Sequence, residues 1–452
     1  MYYTWQGVSS YQLVCQGVLE GSQLASPLAC SAVFTQLFNG RLAFEFVLDD
    51  QDNPEAERWL EQPNRLSFVG NSNDGAQITV QNISPSTQHA HPTGLSGFIR
   101  GPIEQVYLLQ SDLVSRATIE VTNLPLYRMH DIQILTPHGS IKIARTLDYK
   151  RVSQLLKGIN CAGVIAEISI DFSEALKFNE VDDVIRKLCG LLGLAQRSHV
   201  SPVVIRWYDK EENLLRARYE EPVFDIHKAA QPLIPEEDLP EFIQAAFALP
   251  SSLYSEWQLG QAQDYYIQAA ALTSAWSQAI GFFTALETIK ASYIQIFGKR
   301  DSYVPRNQFK NKNIADKVLE LLSKEFAVYR DLLDNDKISK LSEEAKAERE
   351  YEIQTLKSKV GELNRPAYKL VLKSMFQYLG VTVASEELNQ LVDLRNQIIH
   401  SGSPDYSKGP WNNPTEAHRQ VCDFAGLVER TILAIIKYSG PVITYEQIVT
   451  SV

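Results

Sequence analysis

An arginine and a histidine near the C-terminal end of the chain form the residue pair best suited to chemistry. Arg395 and His400 lie in the stretch SEELNQLVDLRNQIIHSG, which spans 385–402. A neutral imidazole can take up or release a proton near neutral pH, and a guanidinium stabilises negative charge in a transition state. The two residue types predict an acid–base group paired with a charge stabiliser, provided that the fold brings them together.

One helix is expected to carry both residues. Ser385 is a suitable N-cap, Glu386 adds negative charge to the first turn, and Gly402 supplies a stop. A broad apolar face is predicted from Leu388, Leu391, Val392, Leu394, Ile398 and Ile399. Arg395 projects from the middle of that face, so it must find a carboxylate or phosphate, or extend past its neighbours into water.

The helix geometry separates the two residues. His400 lies five positions after Arg395, which is about 140° around the helix axis. They can meet only if Arg395 reaches around the helix, or if a second copy of the helix brings its own pair alongside. Asn396 lies only about 40° from His400, so it can orient the imidazole or bind a phosphate. The alternative is a helix with an extended arginine and a solvent-facing histidine.

A carboxylate earlier in the chain is the candidate partner for the inward arginine. Glu287 borders the apolar stripe of a long helix predicted over 265–296. An inward carboxylate facing an inward guanidinium would solve two burial problems together. The alternative is a rim carboxylate that remains in water.

A basic segment supplies candidate contacts with nucleic acid. Between 298 and 317 there are six basic and two acidic residues, a balance of +4, in a chain whose net charge is −11. Tyr303 and Phe309 lie within it and can stack on bases. The candidate RNA contacts are Lys299, Arg300, Arg306, Lys310 and Lys312. The alternative is an ordinary solvated loop.

The stretch 394–402, LRNQIIHSG, resembles the signature of HEPN domains, in which an Arg, a polar residue and a later His lie on one helix of a small bundle. The Arg-Asn-x-x-x-His-x-Gly form, after a β-rich region of some 200 residues, is most similar to the ApeA-like branch. Members of that branch act in bacterial anti-phage defence. Many HEPN proteins are metal-independent endoribonucleases that dimerise to form the site.

The resemblance implies a role for each residue of the pair. His400 would activate the ribose 2′-hydroxyl or protonate the leaving 5′-oxygen, and Arg395 would hold the scissile phosphate. Asn396 occupies the polar position of the signature. The RNA supplies its own nucleophile, so no metal or other cofactor is expected. The products would be a 2′,3′-cyclic phosphate and a 5′-hydroxyl.

Composition places the chain among ordinary globular proteins. Hydrophobic residues make up 44% and charged residues 21%. The five cysteines are scattered without CxxC spacing, which favours a reducing cytoplasm. We expect no secretory signal and no membrane span, because the most apolar long stretch, 269–286, is interrupted by polar residues.

The hydropathy pattern predicts an α+β protein. A β-rich region over 1–150, expected to be an antiparallel sandwich or barrel-like, precedes an α/β appendix over 151–228. An all-α, HEPN-like helical bundle is expected over 240–440. Among its helices, the last is predicted to begin at Asn413 and Pro414, with a Glu at the third helical position.

The resemblance to HEPN domains implies an endoribonuclease that cleaves RNA, with tRNA as a candidate substrate, and the scattered cysteines favour a cytoplasmic location. It would act as a homodimer or higher homo-oligomer in phage defence, and the N-terminal region would sense a phage-derived trigger or restrain the site. The first alternative is a non-catalytic HEPN scaffold that binds RNA or protein. The second is a regulatory subunit for a nucleotide-modifying enzyme, which would supply the Asp-x-Asp motif that this chain lacks.

Overall fold

The fold is taken from a computed structural model of the chain. The structure describes residues 9–21, 27–37, 39–49, 66–83, 90–91, 94–99, 102–107, 112–147, 149–156, 163–222, 231–297, 310, 313–363, 368–401, 403 and 409–444. These residues form an α+β protein, with an antiparallel sheet in the N-terminal half and helices in the C-terminal half. This confirms the predicted α+β class, with antiparallel strands preceding helices.

Alternation of apolar and polar residues builds the sheet, because successive side chains of a strand point to opposite faces. In β2, for example, every second residue from Leu28 to Gln36 is buried. The strands are β1 Ser9–Gly21, β2 Leu28–Leu37, β3 Leu42–Leu48, β4 Leu66–Ser72, β5 Gln77–Ile83, β6 Ala90–His91, β7 Gly94–Ile99, β8 Ile103–Val106, β9 Leu113–Thr122, β10 Asp131–Thr136, β11 Gly139–Arg145, β12 Val164–Lys177, β13 Pro202–Tyr208 and β14 Leu214–Tyr219.

The strands follow one order across the sheet and close part of it into a ring. The order is β10-β11-β12-β9-β13-β14-β8-β5-β4-β1-β2-β3-β7-β6, and all pairs are antiparallel. A further pairing of Ile83 with Ile99 joins β5 to β7. Six strands, β5, β4, β1, β2, β3 and β7, therefore form a closed ring around an apolar core.

Aromatic side chains fill this ring. The rings of Phe34, Phe46 and Phe68 pack at centroid distances of 5.4 to 5.8 Å. Gly17 and Gly70 face each other across β1 and β4, beneath the Phe68 ring. A Cβ on Gly17 would come within 2.3 Å of the backbone of β4, so the close approach of these strands requires glycine.

The predicted α/β appendix belongs to the same sheet. β12 and β13 both pair with β9, so the segment after residue 151 extends the sheet. Three strands were not predicted from the sequence: β2, β6 and β7. The sequence of β7, GLSGFI, carries two glycines that weaken its strand signal.

Thirteen α-helices occur within the described residues. They are α1 Tyr149–Leu156, α2 Phe178–Gln196, α3 Leu239–Ala248, α4 Ser251–Glu256, α5 Leu259–Ala271, α6 Ala275–Ile296, α7 Ile314–Glu325, α8 Ala327–Leu332, α9 Asn335–Ser339, α10 Glu343–Leu363, α11 Tyr368–Leu379, α12 Ser385–Ser401 and α13 Pro414–Ile436. No helix in this described part of the chain has both the length and the apolar character needed to cross a membrane.

The single long helix predicted over 265–296 is wrong, because the chain forms two helices there, α5 and α6. The break lies at Thr273 and Ser274. The Ser274 hydroxyl accepts a hydrogen bond from the backbone N–H of Ser277, and the Gln278 amide donates to the Leu272 carbonyl at 2.9 Å. The Ser274 side chain thus caps the start of α6, and the Gln278 side chain satisfies a carbonyl at the end of α5.

The chain divides into two compact units. The first comprises 1–255, 259–285 and 406–452, and the second comprises 256–258 and 286–405. The domains predicted from composition were 1–150, 151–228 and 240–440, whereas the compact units are defined by contacts between residues.

Helices α3, α5 and α13 belong to the same unit as the sheet. Helix α3 packs against β10. A buried ion pair of Arg197 with Glu429 links the end of α2 to α13.

Candidate functional site

Two helices of the second unit carry the predicted site. Apolar residues at helical spacing bury one face of α11, through Leu372, Met375 and Phe376, and one face of α12, through Leu388, Leu391 and Leu394. The two helices pack against each other. Lys369 of α11 also donates to the Asn389 side chain of α12 at 2.5 Å. This packing fixes how α12 presents Arg395.

Arg395 lies half-buried on the ring of a tyrosine from α11. Its guanidinium carbon is 4.9 Å from the centroid of the Tyr368 ring, and its Nη1 donates to Asn396 Oδ1 at 3.2 Å. A guanidinium over an aromatic face is attracted by the ring's negative quadrupole. The sequence left open whether Arg395 is buried with a partner or extends into water. In the structure it is half-buried, neither fully inside the apolar core nor freely extended into water.

Glu287 binds the hydroxyl of the same tyrosine. The Tyr368 O–H donates to Glu287 Oε1 at 2.7 Å, and Lys290 Nζ donates to Glu287 Oε2 at 2.6 Å. Lys290 Nζ also lies 4.5 Å from the Tyr368 ring centroid. Burial and the neighbouring Glu287 carboxylate raise the pKa of Tyr368, so the phenol stays protonated and keeps donating.

The structure brings Glu287 and Arg395 to one tyrosine without a direct ion pair between them. Arg395 contacts the Tyr368 ring, and Glu287 contacts the Tyr368 hydroxyl. The glutamate uses Lys290 as its cationic partner. In the part of the chain that the structure describes, Arg395 has no carboxylate partner, so its remaining N–H donors can bind an anion.

An aromatic contact holds the helix that carries Glu287. Tyr293, six residues after Glu287 on α6, shares a hydrogen bond of 2.7 Å with Ser374 of α11. Its ring packs with those of Trp257 and Tyr378 at centroid distances of 6.5 and 6.0 Å. The end of α6 is thereby fixed against α11, which sets the distance between Glu287 and Tyr368.

Several predicted site residues lie beyond what the structure describes. His400 belongs to the last turn of α12, but its side chain is outside the described residues, as are Lys299, Arg300, Arg306 and Lys312. Of the predicted RNA contacts, Lys310 is described and is exposed. The structure thus places Arg395 and Glu287 against one tyrosine, with Asn396 bound to the arginine.

Sequence reasoning missed Tyr368 and Lys290. Lys290 follows Glu287 by three residues, a spacing that places two helical side chains side by side, so it could have been found. Tyr368 carries no comparable signal, because its contact with Glu287 spans 81 positions of the chain.

No group of three or more His, Cys, Asp or Glu side chains in the described residues has an arrangement that could hold a metal ion. Comparisons with protein-family models, curated proteins and solved structures find no match for the chain. The argument for function therefore depends on the residues themselves.

Proposed function

We propose that the chain is a HEPN-type, metal-independent endoribonuclease of the ApeA-like branch. The observation that carries the proposal is the state of Arg395, a half-buried arginine that Tyr368 and Asn396 hold without a carboxylate partner among the described residues. Such a group can bind the scissile phosphate of RNA and stabilise charge in the transition state. His400, five residues later on the same helix, supplies the acid–base group.

The chemistry follows from these two groups and the substrate. His400 removes the proton of the ribose 2′-hydroxyl, or donates one to the leaving 5′-oxygen. The 2′-oxygen attacks the adjacent phosphorus, the bond to the 5′-oxygen breaks, and Arg395 binds the phosphate oxygens. The products are a 2′,3′-cyclic phosphate and a 5′-hydroxyl.

The proposal includes an assembly and a biological role. Because Arg395 and His400 lie about 140° apart on one helix, a homodimer or higher homo-oligomer would complete each site from two chains. The resemblance to ApeA-like proteins supports a role in phage defence in the cytoplasm, with tRNA as a candidate substrate. The N-terminal sheet would then sense a phage-derived trigger or restrain the site.

Cleavage assays in EDTA test the proposal. Purified wild type, His400→Ala and Arg395→Ala are incubated with total tRNA and with mRNA, and the ends of the fragments are identified. His418→Ala and Arg419→Ala are matched controls, because both side chains are exposed on α13. We expect cyclic phosphate ends from wild type and both controls, and no cleavage by the two site variants. Equal cleavage by His400→Ala would contradict the proposal.

The packing of Arg395 also favours a second candidate, a non-catalytic scaffold that binds RNA or protein. Tyr368 gives the guanidinium a structural contact that needs no substrate. In that case His400→Ala leaves function intact, and Arg395→Ala lowers stability without changing RNA chemistry. Filter binding of tRNA by a protein that does not cleave it would support this alternative.

A further inference from the structure

The first unit contains a cavity of about 610 Å³. Helices α2, α4 and α5 line it, together with the C-terminal ends of α3 and β12 and the turn between β10 and β11. Its volume falls within the range of about 300–1,000 Å³ that is typical of small-molecule sites. All of its lining residues belong to the same compact unit, so the cavity is a feature of that unit alone.

A half-buried lysine lies between two aromatic rings in this cavity. Lys187 Nζ is 4.8 Å from the ring centroids of both Phe247 and Tyr254. Its hydrogen bond to the Leu249 carbonyl is long, at 3.5 Å. Among the described residues Lys187 has no carboxylate partner, although a partly desolvated ammonium normally requires one. Burial lowers the pKa of Lys187 to about 8, so the group is still charged at neutral pH.

The acidic residues around the cavity are engaged elsewhere or face water. Glu180 accepts the backbone N–H of Lys177 at 2.9 Å. Asp183 pairs with Arg186 at 3.1 Å, and both side chains are exposed. Asp264 is an exposed residue of α5. None of the three carboxylates is the counter-ion of Lys187.

His138 also lines the cavity, and its lowered pKa leaves the imidazole mostly uncharged at neutral pH. Its ring packs against Phe247 at a centroid distance of 5.8 Å, and burial together with the nearby Lys187 lowers its pKa. Tyr254 is held by its hydroxyl, which donates to the fully buried Gln263 at 2.6 Å. The aromatic walls are therefore fixed, and Lys187 is the cation between them.

We propose that this cavity binds a small organic anion, with Lys187 as the counter-ion and the rings of Phe247 and Tyr254 as apolar walls. The ligand class is a carboxylate or phosphate monoester attached to a planar or apolar body. An anionic group would complete the hydrogen bonding of the ammonium, and the rings would pack on the body of the ligand. This site does not depend on the chemistry of Arg395.

Trace acetylation of the wild-type protein tests the proposal. Acetic anhydride labels neutral amines, and mass spectrometry follows Lys187 beside the exposed Lys142 of the same unit. The probes are benzoate, phenyl phosphate and neutral benzamide at matched ionic strength. A bound anion raises the pKa of an adjacent ammonium by at least about one unit, so labelling of Lys187 should fall about tenfold. Protection by benzoate alone identifies a carboxylate site, and protection by phenyl phosphate alone identifies a phosphate site.

Calorimetric titration with the anion that protects Lys187 compares wild type with a site variant and a matched control. Binding should disappear in Lys187→Gln, remain in Lys142→Gln, and weaken in wild type as pH rises above about 8, where the ammonium loses its proton. Three results would overturn the proposal: no protection of Lys187 by either anion, equal protection by benzamide, or a parallel decrease at Lys142. The acetylation arm uses wild-type protein, so it stands even if the variant does not fold.

Discussion

Two arginines, one in each compact unit, show how differently a sequence can use the same residue type. Arg197 lies at the C-terminal end of α2, with both side-chain oxygens of Glu429 at 2.7 and 3.0 Å and two backbone carbonyls, of Gln231 and Ile443, at 3.1 and 2.7 Å. Its side chain is 0% exposed. Arg395 is half-buried on an aromatic ring and has one described hydrogen bond, to an amide.

The two arginines differ in the hydrogen-bond donors and the charge that remain to bind a ligand. Every nitrogen of the Arg197 guanidinium is occupied, and its charge is neutralised by a carboxylate that Tyr266 also binds. Such a bidentate, buried pair holds segments of the chain together. Arg395 is oriented by its neighbours but not neutralised by any described carboxylate. We therefore infer a structural role for the first arginine and a functional role for the second.

The largest effect is expected from breaking the buried pair. Arg197→Ala should lower the free energy of unfolding by about 3–5 kcal/mol, because it leaves the Glu429 carboxylate buried without a counter-ion. Urea titration followed by circular dichroism measures the change. The control is Arg128→Ala, whose pair with Glu237 is 76% and 54% exposed and should contribute less than about 1 kcal/mol. Equal losses of unfolding free energy in both variants would contradict the structural role inferred for Arg197.

A smaller effect is expected at the ring beneath Arg395. Tyr368→Leu removes a cation–π contact and a hydrogen bond, with an expected loss of about 1.5–3 kcal/mol. Tyr368→Phe keeps the ring and should lose only about 1 kcal/mol. If Tyr368 positions Arg395 for catalysis, RNA cleavage falls in the Leu variant and persists in the Phe variant. Loss of cleavage in Tyr368→Phe alone would instead assign the role to the hydroxyl.

A still smaller effect is expected from Glu287→Gln. The amide oxygen can still accept the Tyr368 hydrogen bond, while Lys290 loses an ionic partner. The expected loss is about 0.5–1.5 kcal/mol, measured by the same urea titration. The loss stays modest because the Glu287 side chain is 31% exposed. A loss as large as that of Arg197→Ala would identify Glu287 as the essential counter-ion of a buried cation.

The smallest effect is a pH dependence in the first unit. Burial lowers the pKa of His199, whose ordinary value is 6.5, and its ring lies 2.7 Å from the Ser201 hydroxyl. The unfolded chain then binds a proton at a higher pH than the folded chain. Stability present above about pH 6.5 is therefore lost as pH falls through the folded pKa.

Thermal unfolding between pH 8 and 5 measures this dependence. His199→Asn should flatten the profile below about pH 6.5, and the exposed His418→Asn should not. A profile unchanged by His199→Asn would assign the acid sensitivity to other groups. The Arg197 pair is not expected to contribute through its arginine, which stays charged throughout this range.

Local signals in the sequence predicted local structure well. The predicted cap at Asn413 is confirmed, since its side chain accepts the Thr415 N–H at 3.0 Å and Pro414 opens α13. Apolar spacing predicted α12, whose residues Leu388, Leu391 and Leu394 are buried.

Contacts between distant segments could not be predicted from the sequence. Arg197 and Glu429 lie 232 positions apart, and neither belongs to a motif. Closure of the six-stranded ring likewise depends on a pairing between strands that are not consecutive in the chain, that of Ile83 in β5 with Ile99 in β7. For the candidate site, the sequence predicted Arg395 and Asn396 and proposed Glu287 as a direct partner, whereas Tyr368 lies between the two charges. That arrangement depends on how α6, α11 and α12 pack.

The most direct test of the central claim is the cleavage rate of Arg395→Lys, measured with tRNA in EDTA beside its thermal unfolding midpoint. Lysine keeps the positive charge but loses the planar fork that binds a phosphate through two nitrogens. The account predicts that cleavage falls by about a hundredfold or more while the midpoint changes little. Cleavage at the wild-type rate, or a loss of activity matched by a large loss of stability, would contradict the functional role of Arg395.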